Sequence, residues 1–275
     1  MNMFTPAEVT ANYSAAGKMK TELSVSRMLV LGVLAGMCIA FAGAAANTAV
    51  FAVKNPGLAK LISGLVFPFG LAMVVLTGAE LFTGNCLIPI SVLDGEARLG
   101  GMLKNWLFVY LGNFAGSLLV ASACAFSGQL GCGDGALAAY AIKVAAAKCG
   151  LGFGRAVILG VCCNVLVTIA VLQAMTARDT AGKIAGTYLP ICLFVVCGFE
   201  HSVADMFYVP AGLFALSQQG YAQKAAQAGI DTSALSWGGF LSRNLLPVTV
   251  GNIIGGVFVA WIFWFAWLRG RKDRG

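Results

Sequence analysis

The sequence predicts an all-α membrane protein with six transmembrane helices arranged as an inverted repeat of three plus three. Its composition is 59% hydrophobic and 11% charged, with a mean hydropathy of +0.84. Six apolar runs have the length of about 20 residues that a helix needs to cross the hydrocarbon core, and most of them contain no charge. The two halves of the chain also share three motifs in the same order. Because a soluble domain could not bury this much apolar surface, part of the solvent must be a lipid bilayer.

The chain divides into an N-terminal segment (1–26), a six-helix domain (27–268) and a basic tail (269–275). Thr5, Pro6 and Glu8 match an N-cap, a first-turn proline and a capping-box acid, so we expect a short interfacial helix within the first segment. We interpret the tail as a membrane-surface anchor. The predicted spans, in chain order, are 28–53, 61–90, 106–127, 156–177, 184–216 and 245–268.

The distribution of basic residues predicts the topology of the spans. The first span follows Arg27, but its length and the five later spans favour a retained helix over a cleaved signal peptide. Six spans place both termini on one side, which receives eleven of the 18 lysines and arginines. By the positive-inside rule we expect cytoplasmic termini in the inner (plasma) membrane. The net charge of +7 then reflects topology and does not indicate nucleic-acid binding.

The nine cysteines do not predict a disulfide framework, because most lie inside spans, where cysteine behaves as a small apolar residue. Only Cys132 and Cys149 share a predicted loop, and a disulfide between them is left open. No spacing typical of a metal site occurs, so we expect neither a metal nor a cofactor.

The internal repeat is carried by motifs at equivalent places in residues 27–127 and 155–268. The first and fourth spans open with Arg-x-x-x-Leu-Gly-Val, at Arg27 and Arg155. The second and fifth carry Gly-x-Glu and a later proline, and the third and sixth share a Gly-Asn pair at equal spacing. Each unit has three spans, so the second copy is inverted. Proteins built this way place their transport site at the repeat interface, on discontinuous helices.

Polar residues interrupt the second and fifth spans and predict where these helices break. Ionisable groups at membrane depth are costly and usually face a cavity, so Glu80, Glu200, His201 and Asp205 are candidate functional residues. For Glu80 and Asp205, capping of a broken helix is an alternative role. The helix-break residues are Glu80, Gly84, Asn85, Ser202 and Asp205, and the glycines predicted to pack helices closely are Gly112, Gly116, Gly251 and Gly255.

At these motifs the sequence resembles the formate/nitrite transporter family of pentameric anion channels. The resemblance implies an aquaporin-like protomer with broken second and fifth helices, a pore in each protomer, and a homopentamer. Asp205 departs from the pattern, because several members carry asparagine at this position. The matching stretches are 79–84, Gly112-Asn113, 198–202, Gly251-Asn252, and Lys148 twelve residues before Gly160.

The resemblance also implies a set of site residues. His201 corresponds to the central histidine of the family, and Thr83 corresponds to its loop threonine. The apolar constrictions correspond to Leu71, Leu81, Phe194 and Phe67. A polar group behind the histidine corresponds to Lys148, Glu200 and Asn164.

We therefore expect a channel for small monovalent anions of weak acids, namely formate, nitrite or hydrosulfide, with the N-terminal segment as a gate. We hypothesise that His201 shares a proton with the permeant, which passes the constrictions as the neutral acid.

An aquaporin-like channel for neutral solutes is an alternative function, although paired Asn-Pro-Ala motifs are lacking. A membrane enzyme is another, although neither HExxH nor GxSxG occurs. A proton-coupled carrier could use the same residues.

Overall fold

The computed structural model describes residues 3–270, which are helical apart from loops and an isolated bridge between Met3 and Ala177. A 3-10 turn (Gln129–Gly131) precedes α8, and a π-helical segment (Phe240–Leu245) leads into α14. The helices are α1 (Pro6–Glu22), α2 (Val25–Val50), α3 (Pro56–Val66), α4 (Phe69–Thr77), α5 (Phe82–Asn85), α6 (Pro89–Leu93), α7 (Leu99–Phe126), α8 (Ala136–Cys149), α9 (Phe153–Thr176), α10 (Thr180–Cys197), α11 (Ser202–Leu216), α12 (Gln219–Gln227), α13 (Trp237–Gly239) and α14 (Leu246–Trp267).

The described residues contain six helices that are long and apolar enough to cross a membrane, as predicted. The second and fifth continue, after a break, as the shorter apolar stretches Phe82–Leu93 and Ser202–Leu216. Both predicted interruptions are therefore confirmed as real ends of helices. The six crossing stretches are Val25–Val50, Pro56–Thr77, Leu99–Phe126, Phe153–Thr176, Thr180–Cys197 and Trp237–Trp267.

The spans begin earlier than hydropathy predicts, and in the second and fifth spans capping residues set the first turn. The second span begins after Asn55, whose side chain accepts a hydrogen bond from the backbone N–H of Leu58 at 3.0 Å. The fifth begins after Asp179, which caps Gly182 in the same way at 2.8 Å. The predicted starts at residues 61 and 184 are wrong for this reason. The loop helices α8 and α12 were also not predicted.

The N-terminal helix has the predicted capping box. The backbone N–H of Thr5 donates to Glu8 Oε2 at 2.7 Å, and the Thr5 hydroxyl accepts from the backbone N–H of Glu8. The exposed Glu8 carboxyl has a lowered pKa, because the backbone N–H and the hydroxyl of Thr5 both donate to it and favour its ionised form. One face of α1 buries Val9 and Tyr13 against the rest of the protein. This helix therefore docks onto the channel domain along much of its length.

Close helix crossings join the first span to the third and the fourth to the sixth. A Cβ atom on Gly112 would lie 2.6 Å from the carbonyl oxygen of Leu29. A Cβ on Gly251 would overlap the carbonyl oxygen of Val157 at the equivalent crossing of α9 and α14. Such approaches are possible only without a side chain, which confirms the packing role predicted for these glycines.

Two further predictions concern the cysteines and the tail. All nine cysteines are free in the structure; Cys132 is exposed, whereas Cys149 is buried, so the possible disulfide does not form. The guanidinium of Arg269 lies 4.8 Å from the ring centroid of Phe265. The rest of the predicted anchor, residues 271–275, lies outside the described residues.

We predict that Gly116→Ala destabilises the protein by about 1–3 kcal/mol, because its methyl group would overlap the carbonyl oxygen of Val33 on α2. Gly100→Ala on the same helix is the matched control, since a Cβ there meets nothing within 4 Å. Thermal unfolding of the detergent-solubilised proteins would measure both changes. Equal midpoints for the two variants would contradict the close crossing.

Candidate permeation site

The two broken helices meet in the middle of the protein and end in the same way. Gly78 closes α4 with φ 69°, and Gly198 closes α10 with φ 72°. These left-handed conformations suit glycine, which pays no Cβ penalty there. The chain then runs extended for a few residues before α5 and α11 begin. Each break exposes backbone groups that lipid cannot satisfy.

One asparagine closes each break. Asn113 donates from Nδ2 to the carbonyl oxygens of Gly32 and Glu80, both at 2.8 Å, and accepts from the N–H of Phe82 at 2.9 Å. Asn252 makes the equivalent bonds in the second repeat, to the carbonyls of Gly160 and Glu200 and from the N–H of Ser202. The Gly-Asn motif of the third and sixth spans therefore holds the breaks of the second and fifth. The repeat revealed these asparagines, but it did not reveal this role.

His201 lies at the second break as the N-cap of α11. Its Nδ1 accepts a hydrogen bond from the backbone N–H of Ala204 at 3.0 Å. Because a backbone N–H can only donate, Nδ1 is unprotonated and the neutral ring carries its proton on Nε2. Nε2 lies 2.8 Å from the hydroxyl of Thr83, which comes from the first break. Each half of the chain thus supplies one member of the central pair.

Two cavities approach this pair from opposite sides. The α1-side cavity, about 140 Å³, is lined by Tyr13, Lys20, Leu71 and Leu81 among others. The second cavity, about 430 Å³, we name the lysine vestibule, because Lys54, Lys60, Lys143 and Lys148 line it. No residue in the described part of the chain lines both cavities. His201 lines the lysine vestibule, and Leu81 and Gly84 on either side of Thr83 line the α1-side cavity, so the contact between Thr83 and His201 lies between the two.

The predicted constrictions fall on opposite sides of the central pair. Leu71 and Leu81 line the α1-side cavity, whereas Phe67 and Phe194 line the lysine vestibule together with His201. Phe194 stacks on the imidazole at a centroid distance of 5.9 Å and an interplanar angle of 22°. The imidazole therefore lies beside an apolar side chain that was predicted as a constriction.

The predicted polar group behind the histidine is a buried ionic cluster. Lys148 on α8 donates to both carboxylate oxygens of Glu200, at 3.1 and 2.9 Å, and lies 2.7 Å from Oδ1 of Asp205. The ring of Tyr208 lies beneath its ammonium at 5.4 Å. Asn164, in contrast, donates to the carbonyls of Thr83 and Asn252, at 3.2 and 2.6 Å. It therefore supports the first break and is not a partner of the ring.

The first break has a matching lysine that sequence reasoning missed. Lys20 of α1 donates to Glu80 at 2.5 Å, as Lys148 of α8 donates to Glu200. Lys20 lies twelve residues before Gly32, and Lys148 lies twelve residues before Gly160. The inverted repeat therefore extends to α1 and α8. This equal spacing was the signal in the sequence that could have identified Lys20.

Of the remaining helix-break residues, Gly84 joins α1 to the first break. Asn85 donates to Glu80 at 2.7 Å, and the carbonyl of Gly84 accepts from the hydroxyl of Tyr13 at 3.1 Å. In the second break Ser202 starts α11, and Asp205 lies in its first turn. The sequence analysis did not single out Tyr13.

Comparison with known proteins identifies the family. The sequence model of the family described as "Formate/nitrite transporter" matches residues 7–265. The chain belongs to the formate/nitrite transporter family. It is 36% identical to a "Probable formate transporter" of Methanothermobacter thermautotrophicus, over 96% of this chain and 97% of that protein. It is 35% identical to "Formate channel FocA" of Haemophilus influenzae, over 94% of this chain and 93% of the relative.

Solved structures of formate/nitrite transporters have the same fold as this family member. A "Pentameric formate channel with formate bound" matches with a TM-score of 0.76 and 33% identity, over 89% of this chain and 98% of that one. An "FNT family ion channel" matches with a TM-score of 0.80 and 26% identity, over 94% and 98% of the two chains. The chain is thus a multi-pass membrane protein with the channel fold of this family.

We predict that Asn252→Leu destabilises this transporter and abolishes its transport. The similarly sized apolar side chain would leave three buried backbone groups without their partner, each costing about 1–3 kcal/mol. Asn12→Leu on α1 is the control, because Asn12 is exposed. Thermal unfolding in detergent would compare the two. A midpoint for Asn252→Leu equal to that of the control would mean that this asparagine does not hold the break.

Proposed function

We propose that this chain forms a homopentameric channel for small monovalent anions of weak acids, with formate as the first candidate and nitrite and hydrosulfide as others. The observation that carries the proposal is the pairing of His201 Nε2 with Thr83 at 2.8 Å between two cavities. Relatives named as formate channels, and a solved relative described as pentameric with formate bound, support the substrate and the assembly. The inner (plasma) membrane and cytoplasmic termini follow from the charge distribution.

Electrostatic attraction brings the anion to the centre. Three exposed lysines, Lys54, Lys60 and Lys143, line the lysine vestibule together with the partly buried Lys148. A cationic cleft with low-dielectric walls raises the local concentration of anions. The attraction offsets part of the cost of removing water from the anion as it approaches Phe67 and Phe194.

His201 then shares a proton with the anion through a hydrogen bond. Because Nδ1 is occupied by the N–H of Ala204, the neutral ring offers its Nε2 proton to the permeant in place of the Thr83 hydroxyl. Complete transfer from a neutral ring would leave an imidazolate, so a proton that enters from the vestibule with the anion must replace the one that Nε2 gives to the anion. The ring orients that acid for passage between Phe194 and Leu81.

An apolar constriction favours the neutral acid over its anion. Burying an unpaired charge in a low-dielectric medium costs far more than burying a hydrogen-bonded neutral group. The acid loses its proton once it reaches water in the cavity beyond Leu81. A proton-coupled carrier would use the same residues in a gated cycle. No catalytic activity is part of the proposal, and the channels and transporters among the relatives support that view.

We predict that liposomes containing the purified protein take up formate faster as the external pH falls, and that His201→Asn weakens this dependence. The asparagine can occupy the site, but it cannot exchange a proton with the permeant. Uptake of formate, nitrite and hydrosulfide across external pH would measure the effect. An unchanged rate and pH profile in the variant would exclude proton sharing, and protein that passes none of these anions would exclude the proposed function.

The N-terminal helix closes the opposite entrance in this proposal. Tyr13 and Lys20 of α1 line the α1-side cavity and bind the first break through Gly84 and Glu80. Undocking of α1 would break these bonds and widen the entrance. We therefore propose residues 1–26 as the gate.

We predict that Lys20→Gln increases formate flux by about tenfold, because loss of a charge-assisted hydrogen bond weakens docking by about 1.5–3 kcal/mol. Lys18→Gln is the matched control, since Lys18 pairs with Glu96 at 3.5 Å on the exposed side of the same helix. Stopped-flow uptake into liposomes would measure both variants. A reduced flux in Lys20→Gln would indicate that Lys20 attracts the anion and does not hold a gate.

A further inference from the structure

The two breaks differ in the side chain that lies five residues after each buried glutamate. In the first repeat this residue is Asn85, which donates to Glu80 Oε2 at 2.7 Å and to Asn105 Oδ1 at 2.8 Å. In the second repeat it is Asp205, whose carboxyl lies within hydrogen-bonding reach of Glu200. The amide of Asn85 has two donor hydrogens for its two acceptors, whereas an ionised carboxylate at the equivalent position has none.

The surroundings of Asp205 lack the donors that two carboxylates need. Asp205 is 0% exposed, and neither of its oxygens makes a well-formed hydrogen bond, although Lys148 Nζ lies 2.7 Å from Oδ1. Its carboxyl lies within hydrogen-bonding reach of the Glu200 carboxyl. The amide nitrogen of Asn244 donates to Glu200, and the Oδ1 atom of Asn244 is buried without a hydrogen-bond partner. A donor is therefore missing where Asn85 supplies one in the first repeat.

The charges around Asp205 do not balance without an added proton. Glu200 and Asp205 would bring two negative charges to a single lysine, and only Lys148 among the facing groups is cationic. Two carboxylates that share a buried site cannot both ionise readily. The titratable groups that face Asp205 are Lys148 and Cys149 on α8, Glu200 at the break, Cys163 on α9, Tyr110 on α7 and Tyr208 on α11.

We propose that Asp205 and Glu200 hold one proton between them, and that this proton keeps the lysine vestibule attractive to anions. With the proton present, Asp205 donates to Glu200 as Asn85 does to Glu80, and the cluster with Lys148 is neutral. Without it, the cluster carries one negative charge beside the vestibule. Asp205 lines neither cavity, so it is a positioning residue that acts through Glu200 and Lys148.

This proton is distinct from the one that His201 offers to the permeant. The imidazole is fixed by the N–H of Ala204 and faces Thr83, whereas Asp205 faces Glu200 and Lys148. The consequence for transport rests on the proposed function, but the protonation state itself does not. The two parts can therefore be tested separately.

Infrared spectroscopy of the purified protein tests the proton directly. We expect the carbonyl stretch of a protonated carboxylic acid at neutral pH, and we expect its loss in both Asp205→Asn and Glu200→Gln. Either amide supplies the missing donor, so the remaining carboxylate can ionise against Lys148. Asp134→Asn, at an exposed carboxylate paired with Lys224, is the control and should keep the band. A band unchanged in Asp205→Asn would overturn the proposal.

Formate uptake tests the consequence. Between about pH 7 and about pH 9 we expect uptake to fall about tenfold more in the unsubstituted protein than in Asp205→Asn, because only the former gains a negative charge at the vestibule. The same comparison in a His201→Asn background removes the contribution of the imidazole. An equal fall in uptake with rising pH in the unsubstituted protein and in Asp205→Asn would overturn the proposal. If no protein takes up formate, the proposed function fails, and the infrared comparison still decides whether the proton is shared.

Discussion

The fold depends on satisfying backbone groups where two membrane-spanning helices break. A helix that stops inside the bilayer leaves N–H and C=O groups that lipid cannot bind, each at a cost of several kcal/mol. Asn113 and Asn252 satisfy these groups in matching geometry, and glycines bring the helices of each repeat close enough for the bonds to form. Without these two side chains, neither break could exist at this depth.

The site is a consequence of that solution. A break turns a helix end toward the centre of the protein, so Thr83 comes from one half of the chain and His201 from the other. The N–H of Ala204, freed by the start of α11, fixes the tautomer of the imidazole. The chemistry at the centre is therefore set by backbone hydrogen bonding as much as by the side chains. A neutral donor between apolar side chains is the arrangement that the proposed passage of a neutral acid requires.

The sequence predicted the breaks because the same motifs mark the break in each of the two repeats. The Gly-x-Glu and Gly-Asn motifs carry the inverted repeat, and His201 stands out as the only histidine. Hydropathy could not predict that the second and fifth spans begin at Pro56 and Thr180, since caps outside the apolar run set these starts. It also could not predict that Lys20 reaches Glu80, because α1 has no strong apolar pattern to suggest where it docks.

The difference between the equivalent helices α1 and α8 is the reason that we propose a gate on one side only. Lys148 faces two carboxyls and is 15% exposed, whereas Lys20 pairs with Glu80 alone and is 25% exposed. The chain therefore holds its second lysine more firmly than its first. Apart from its buried apolar face, α1 is joined to the first break by a few polar contacts, of which Tyr13 with Gly84 is typical. A contact of this kind can open without disturbing the hydrogen bonds that hold the two breaks, because Asn113 and Asn252 bind only residues of the channel domain.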